Sequence, residues 1–269
     1  MYELVTDDYF DLDKTRDYIL SIQVSLGGFS FSMVLASEKK LLALKHSPVT
    51  ISNERFISRR FKEWLESEKL LQQTYKETRF IIASEKFTLV PEAFYNELQK
   101  REIIFPVLDT DGTEKIGENN IEKCESRLLY AIPPQLETAL NHTNFVHAVK
   151  LLIENRPEIE TENGMILWFN SGGCYLILYN SMQILLANHF KITHENDIVY
   201  YVLTTIKQLG VAPGKTKLRV AGEMAEKESV KNILQKYFAS IDFLQPAGNI
   251  QINREKFNFP LHPFIHLFF

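Results

Sequence analysis

Cysteine is scarce in this chain: two in 269 residues, Cys124 and Cys174. Neither has a neighbour at zinc-ligand or CxxC spacing, so the sequence supports neither a cysteine-based metal site nor dithiol redox chemistry. Cys174 lies in an apolar run and reads as a small core residue. Net charge is also small, −4 at pH 7, so no broad attraction to nucleic acid or anionic lipid is expected. The cluster Arg59, Arg60 and Lys62 reads as a solvated helix face. No run reaches the roughly 18 apolar residues of a membrane span. Met1 to Lys14 is acidic and lacks the basic and apolar regions of a signal peptide. Membrane insertion is therefore not expected, and the cytoplasm is the expected location.

What the chain has in plenty is ordinary globular material, 45% hydrophobic and 24% charged, enough for one large domain or two. It is organised around Ser25-Leu26-Gly27-Gly28 and its echo Asn170-Ser171-Gly172-Gly173. Each Gly-Gly pair lies between two strand-forming runs, which predicts a tight hairpin, because glycine reaches positive φ without steric cost. In the run after Gly28, Phe29, Phe31 and Met33 alternate with Ser30 and Ser32. That period predicts one buried face and one polar face.

Taken in order, residues 1–17 read as a loose leader or short edge element, and 18–45 as three strands. A helix is expected over 52–74, with Ser52 or Asn53 as N-cap. A strand pair is expected in 78–90, and Pro91 starts a short helix, 92–100. The segment 106–125 reads as irregular and exposed. Strand 127–132, helix 135–140 and strand 144–149 follow. In the second half, 164–180 form the second hairpin and 182–192 a third strand. Helix 196–209 stops at Gly210. Strand 217–221, helix 226–238 and strand 241–244 complete the order, and Phe264, Leu267 and Phe268 pack back onto the body.

Several local motifs fail on spacing. Gly210 and Gly214, before Lys215-Thr216, are one residue short of a phosphate-binding loop and follow a helix rather than a strand. Asp109-Thr110-Asp111-Gly112 begins like a calcium loop, but its twelfth position is Asn120 instead of glutamate. The pairs His142/His147 and His189/His194 lack the spacing of a zinc helix, and His262/His266 has that spacing without the accompanying glutamate. The last pair reads as surface or interface. Ser30 and Ser32 have no His and Asp arrangement that suggests a nucleophile.

A single shift of 145 residues carries Ser25 onto Asn170, Gly27 onto Gly172, Gly28 onto Gly173, Phe31 onto Leu176 and Met33 onto Leu178. The element order repeats as well. This divides the chain into 1–159, carrying the irregular segment 106–125, and 160–269. The repeated order resembles the actin-like ATPase superfamily. The resemblance implies an α/β, ribonuclease H-like fold, duplicated as two similar domains, each with a mixed five-stranded sheet and helices. More narrowly, Leu20 to Ser32, Val220-Ala221-Gly222-Glu223 and the terminal His262-Pro263-Phe264 resemble an uncharacterised bacterial family without assigned activity.

The superfamily resemblance implies a nucleotide cleft at Ser25, Gly27, Gly28, Ser171, Gly172, Gly173 and Gly222. Backbone N–H groups at such glycines approach phosphates, and a hairpin Asp handles Mg²⁺. Here the Asp positions fall on Gln23 and Trp168, and the following glycines on Ser25 and Asn170. Glu223 would stand unfavourably beside phosphates. The expectation is a degenerate cleft without cofactor, in a non-catalytic pseudoenzyme that binds a protein partner or a second copy of itself. The alternative is an ATP- and Mg²⁺-dependent phosphotransferase or ATPase with displaced acids, for which Asp109, Asp111 and Glu85 are the candidates. A third reading is a small-molecule cleft lined by Trp168, Tyr175 and Ser171. Against it, both aromatic residues read as ordinary strand packing.

Overall fold

Alternating residues make strands, and which faces become buried depends on what covers them. The computed structural model describes residues 2–25, 27–49, 56–108, 112–140, 145–159, 161–170, 173–246 and 250–269. The first half contains β1 (Tyr2–Thr6), β2 (Tyr18–Ser25), β3 (Gly28–Leu35), β4 (Lys40–Pro48), α1 (Ile57–Ser67) and β5 (Glu77–Ile82). An excursion follows through β6 (Phe87–Pro91), α2 (Lys100–Ile104), β7 (Lys115–Ile121), β8 (Ser126–Ile132) and α3 (Pro134–Ala139). The chain returns through β9 (Phe145–His147) and α4 (Ala148–Glu154). The second half contains β10 (Asn163–Asn170), β11 (Gly173–Tyr179), β12 (Ile184–Lys191), α5 (Glu195–Gln208), β13 (Thr216–Ala221), α6 (Glu228–Leu234) and β14 (Ile241–Phe243). A terminal 3-10 helix, His262–Phe268, follows.

The first sheet has the order β1-β4-β3-β2-β5-β9 and the second β12-β11-β10-β13-β14. Without β1 the two orders are the same: an antiparallel three-strand meander, then two strands added in parallel. The hairpin registers coincide under the same shift, Ser25↔Gly28 in one and Asn170↔Gly173 in the other. The mixed α/β architecture expected for an actin-like fold is therefore present. The first sheet has six strands instead of five, because the N-terminal edge element pairs with β4.

Other local expectations need correction. Strands β5 and β6 do not pair. β5 lies parallel to β2, whereas β6 enters a third sheet of order β6-β8-β7. The segment read as irregular contains β7, whose polar residues Glu118, Asn119 and Asn120 hide a strand held by full pairing with β8. Gly117 serves that pairing, since a Cβ there would stand 2.5 Å from the Tyr130 ring. The expected helix 92–100 is two 3-10 turns leading into α2. Helix α1 is shorter than expected and is followed by a 3-10 turn, Lys69–Gln72. Its proposed N-caps, Ser52 and Asn53, lie outside the described residues. Arg59 and Arg60 pair with Glu63 on the exposed face of α1, as a solvated face requires.

The serine face of β3 is the most informative departure. Phe29 and Phe31 pack against Phe61 and Trp64 of α1 with ring centroids 5.2–6.0 Å apart. Ser30 and Ser32, on the opposite face, are buried too. Cross-strand pairing places Ser21 opposite Ser32 and Gln23 opposite Ser30, and both Ser21 and Gln23 are buried. The terminal segment covers this polar face, and the Ser32 hydroxyl donates to the Leu267 carbonyl at 2.7 Å. Under the 145-residue shift the matching face of the second hairpin is Ile166, Trp168, Tyr175 and Ile177. These residues share one core with Phe264, Ile265, Leu267 and Phe268. The other face of that hairpin, including Met165, Leu167 and Leu176, packs in a separate core with α5 and α6. The C-terminus thus lies between a polar hairpin face and an apolar one. Residues 250–252 also join the first sheet, where Leu41 N–H donates to the Gln251 carbonyl at 2.9 Å.

Candidate functional site

The two hairpin ends face a cavity of about 200 Å³. Gln23, Ser25, Gly27 and Ser30 line it from the first hairpin, and Trp168, Phe169 and Asn170 from the second. His46, Gly222, Met224, Pro263 and Phe264 complete the wall. Of the residues expected at a nucleotide cleft, the cavity brings Ser25, Gly27 and Gly222 together.

Gly28 and Gly173 have other tasks. Gly28 has φ 139°, and a Cβ on it would stand 2.5 Å from the Ser47 carbonyl, so it closes the turn against β4. The Ser25 hydroxyl donates to the Gly28 carbonyl across this turn. A Cβ on Gly173 would stand 1.9 Å from the His189 ring, so its glycine makes room for that imidazole. Ser171 and Gly172 lie outside the described residues. Gly222 has φ 92°, and a Cβ there would meet the Phe169 carbonyl at 2.0 Å, which pins the end of β13 against β10.

Trp168 and Tyr175 are packing residues. Trp168 is 1% exposed, with its ring centroid 4.9 Å from Tyr175 and 4.8 Å from His266. The residue at the expected acid position therefore makes a floor for the terminal helix. The Tyr175 hydroxyl donates to the Ala83 carbonyl at 2.8 Å, tying the second hairpin to the first half. Burial pushes its phenol pKa well up.

Burial holds His147 and His266 neutral. His147 Nδ1 accepts from the Val149 N–H at 3.2 Å, so its Nε2–H donates to the Ser84 carbonyl at 3.0 Å. Burial lowers its pKa to about 4. The same cause lowers His266 to about 3, and neither of its ring nitrogens has a hydrogen-bond partner among the described residues. His262 stacks on Phe243 with 4.4 Å between centroids, and its Nε2 lies 3.2 Å from Glu226. The His262/His266 pair is therefore buried against the second sheet, which corrects the expectation of a surface or interface position.

Of the candidate displaced acids, the one the structure describes, Glu85, does not line the cavity. Glu85 lies elsewhere, 3.9 Å from His189, and Asp109 and Asp111 are outside the described residues. Among the described residues the lining contains no Asp, Glu, Lys or Arg, and no cluster of three metal-binding side chains occurs. Mg²⁺ calls for hard oxygen ligands and polyphosphate for cations or a nest of N–H donors; the described lining supplies neither a carboxylate nor a cationic side chain for Mg²⁺-ATP. The Gly210–Thr216 segment is a helix-to-strand connection, in which Lys215 pairs with Glu162 on the surface.

Sequence reasoning missed several members of the wall, among them Ser30, His46, Pro263 and Phe264. The Ser30 hydroxyl and His46 Nδ1 lie 2.8 Å apart, joined across neighbouring strands. Pro263 and Phe264 arrive from the far end of the chain. The terminal His-Pro-Phe motif was visible, but its position in the cleft depends on tertiary packing.

Solved structures share this architecture. A Bacteroides thetaiotaomicron VPI-5482 protein with actin-like ATPase fold and unknown function is 23% identical, with TM-score 0.80 over 91% of this chain and 96% of that one. A PilM–PilN type IV pilus biogenesis complex matches at 11% identity and TM-score 0.57, over 94% and 97% of the two chains. The ethanolamine utilization protein EutJ from Carboxydothermus hydrogenoformans matches at 9% identity and TM-score 0.50, over 98% and 93%. At these identities the likeness shows the fold, an actin-like ATPase fold. No helix among the described residues is long and apolar enough to cross a membrane. No functionally curated protein matches the chain. A family profile matches residues 7–241, and the chain belongs to that family, described as Protein of unknown function (DUF3822).

Proposed function

We propose that this protein is a non-catalytic binding or scaffold module on an actin-like frame. Its cleft is filled by its own C-terminus in place of a nucleotide. One observation carries the reading: Phe264 and its neighbours occupy the space between the hairpins, above a tryptophan at an acid position. The remaining cavity, about 200 Å³, is below the roughly 300–1,000 Å³ of small-molecule sites. The first and second sheets, whose strands lie on either side of the 159/160 boundary, support reading the frame as two units. The protein acts through a protein partner or a second copy, and the PilM–PilN complex among the structural neighbours supports this. We place it in the cytoplasm, consistent with two cysteines that form no disulfide.

Calorimetric titration of the full chain with Mg²⁺-ATP tests the reading. The expected result is no saturable heat at millimolar nucleotide, together with no ATP hydrolysis above background. One-site binding, or turnover abolished by a substitution in the cavity wall, would overturn it.

A further inference from the structure

A second cavity, of about 800 Å³, is independent of the hairpin cleft. It lies beside the start of β10, where Gly164 pairs with Lys217, at the opposite end of the strand from Asn170. Its walls come from the chain after α4, from β13 and from residues 242–246. Gly164 shapes the adjoining core: a Cβ there would stand 2.4 Å from the Tyr179 ring, so only glycine lets this tyrosine lie across the strand.

Two guanidinium groups converge on Tyr179. Arg219 donates to the Tyr179 hydroxyl at 3.2 Å and to the Glu158 carbonyl at 3.4 Å. Arg156 lies 5.6 Å from the centre of the same ring and donates to the Ile153 carbonyl at 2.8 Å. Both line the cavity, and neither has an ion-pair partner among the described residues. Most of their N–H donors remain available. The nearby carboxylates are largely committed: Asp242 pairs with Lys217 at 3.4 Å and Glu154 with Lys150 at 2.5 Å. That leaves Arg156, Arg219 and Lys123 against the exposed Glu158, a positive site on a chain of net charge −4. Phe243, 40% exposed, offers an apolar wall and is held flat by stacking on His262.

Arginine pairs suit planar carboxylates and phosphates because the fork donates two parallel hydrogen bonds. We propose that this cavity binds a small anionic molecule, with its phosphate or carboxylate held by Arg156 and Arg219 and its apolar part against Phe243. The cavity volume lies within the range of small-molecule sites.

Calorimetric titration of the full chain with phenyl phosphate, benzoate and inorganic phosphate tests this. Phenyl phosphate or benzoate is expected to bind saturably at one per chain and more tightly than inorganic phosphate. The tighter of the first two identifies the anionic group. Arg156→Gln and Arg219→Gln should each weaken binding about tenfold, the loss of one charge-assisted hydrogen bond. Lys215→Gln, outside the cavity, should leave it unchanged. Hydrogen exchange on the unmodified chain with phenyl phosphate should show protection at 154–159 and 217–219, which keeps the test valid if an arginine variant misfolds. Absence of binding by all three probes at tens of millimolar, affinity unchanged in the arginine variants, or protection confined to the hairpin cleft would overturn the proposal.

Discussion

Replacing Leu267 with alanine probes the C-terminal segment as part of the core. Leu267 is 0% exposed, and Leu261, Phe264, Ile265 and Phe268 around it are each no more than 6% exposed. Burial of such side chains contributes about 1.5–3 kcal/mol each. The segment therefore contributes on the order of 10 kcal/mol, comparable to the whole stability of a typical domain, about 5–15 kcal/mol. Deleting residues 260–269 should leave a chain that does not fold. Leu267→Ala is milder. It removes side-chain atoms from a packed site at a cost of about 2–5 kcal/mol, while the backbone carbonyl that accepts from Ser32 remains. At about 2 °C per kcal/mol for a chain of this length, Tm should fall by about 4–10 °C. Thermal melting followed by circular dichroism provides the readout, with hydrogen exchange of 260–269 beside it. A melting point within a degree of the parent protein, together with a truncated chain that folds and melts cooperatively, would refute the reasoning. The terminal segment would then be a surface appendage.

Ser32→Ala should leave the buried Leu267 carbonyl without its donor and cost about 1–3 kcal/mol in urea unfolding; an unchanged midpoint would contradict the role of the serine face. The buried histidines predict acid sensitivity. His147 and His266 have folded pKa values of about 4 and about 3, below the unfolded value of about 6.5. Their neutral forms therefore support the fold above pH about 6.5, and that support is lost as pH falls towards the folded values. Each group should cost about 2 kcal/mol between pH 6.5 and 5. Urea midpoints should fall over that range, and His266→Phe should flatten the dependence; a midpoint constant with pH would count against both burials. Gly222→Ala should destabilise by more than about 2 kcal/mol, since positive φ and a backbone clash add. Gly210→Ala, with φ 65° but open space around it, should cost only about 1 kcal/mol.

The parts of the fold legible in the sequence were those with local causes. The Gly-Gly turns, the alternation around Phe29 to Met33 and the 145-residue shift all act within short stretches, and together they implied the shared strand order. Strand β7 was hidden because Asn119 and Asn120 have little strand preference of their own, and pairing with β8 supplies it. The serine face was misjudged for a related reason. Period two separates polar from apolar side chains, but it does not say whether the polar side meets water. Ser32 meets a carbonyl 235 positions away. For the site, the presence of Gln23 and Trp168 at the two hairpins was legible, and both line the cavity. That Trp168 supports His266 was not, since nothing local links residues from strands and a terminus so far apart.

A crystal structure of the full chain grown with millimolar Mg²⁺ and a non-hydrolysable ATP analogue tests the central claim most directly. The account predicts Pro263 and Phe264 between the hairpins, His266 on Trp168, and no nucleotide in that cleft. A nucleotide bound at Ser25, Gly27 and Gly222, with the terminal segment displaced, would contradict it.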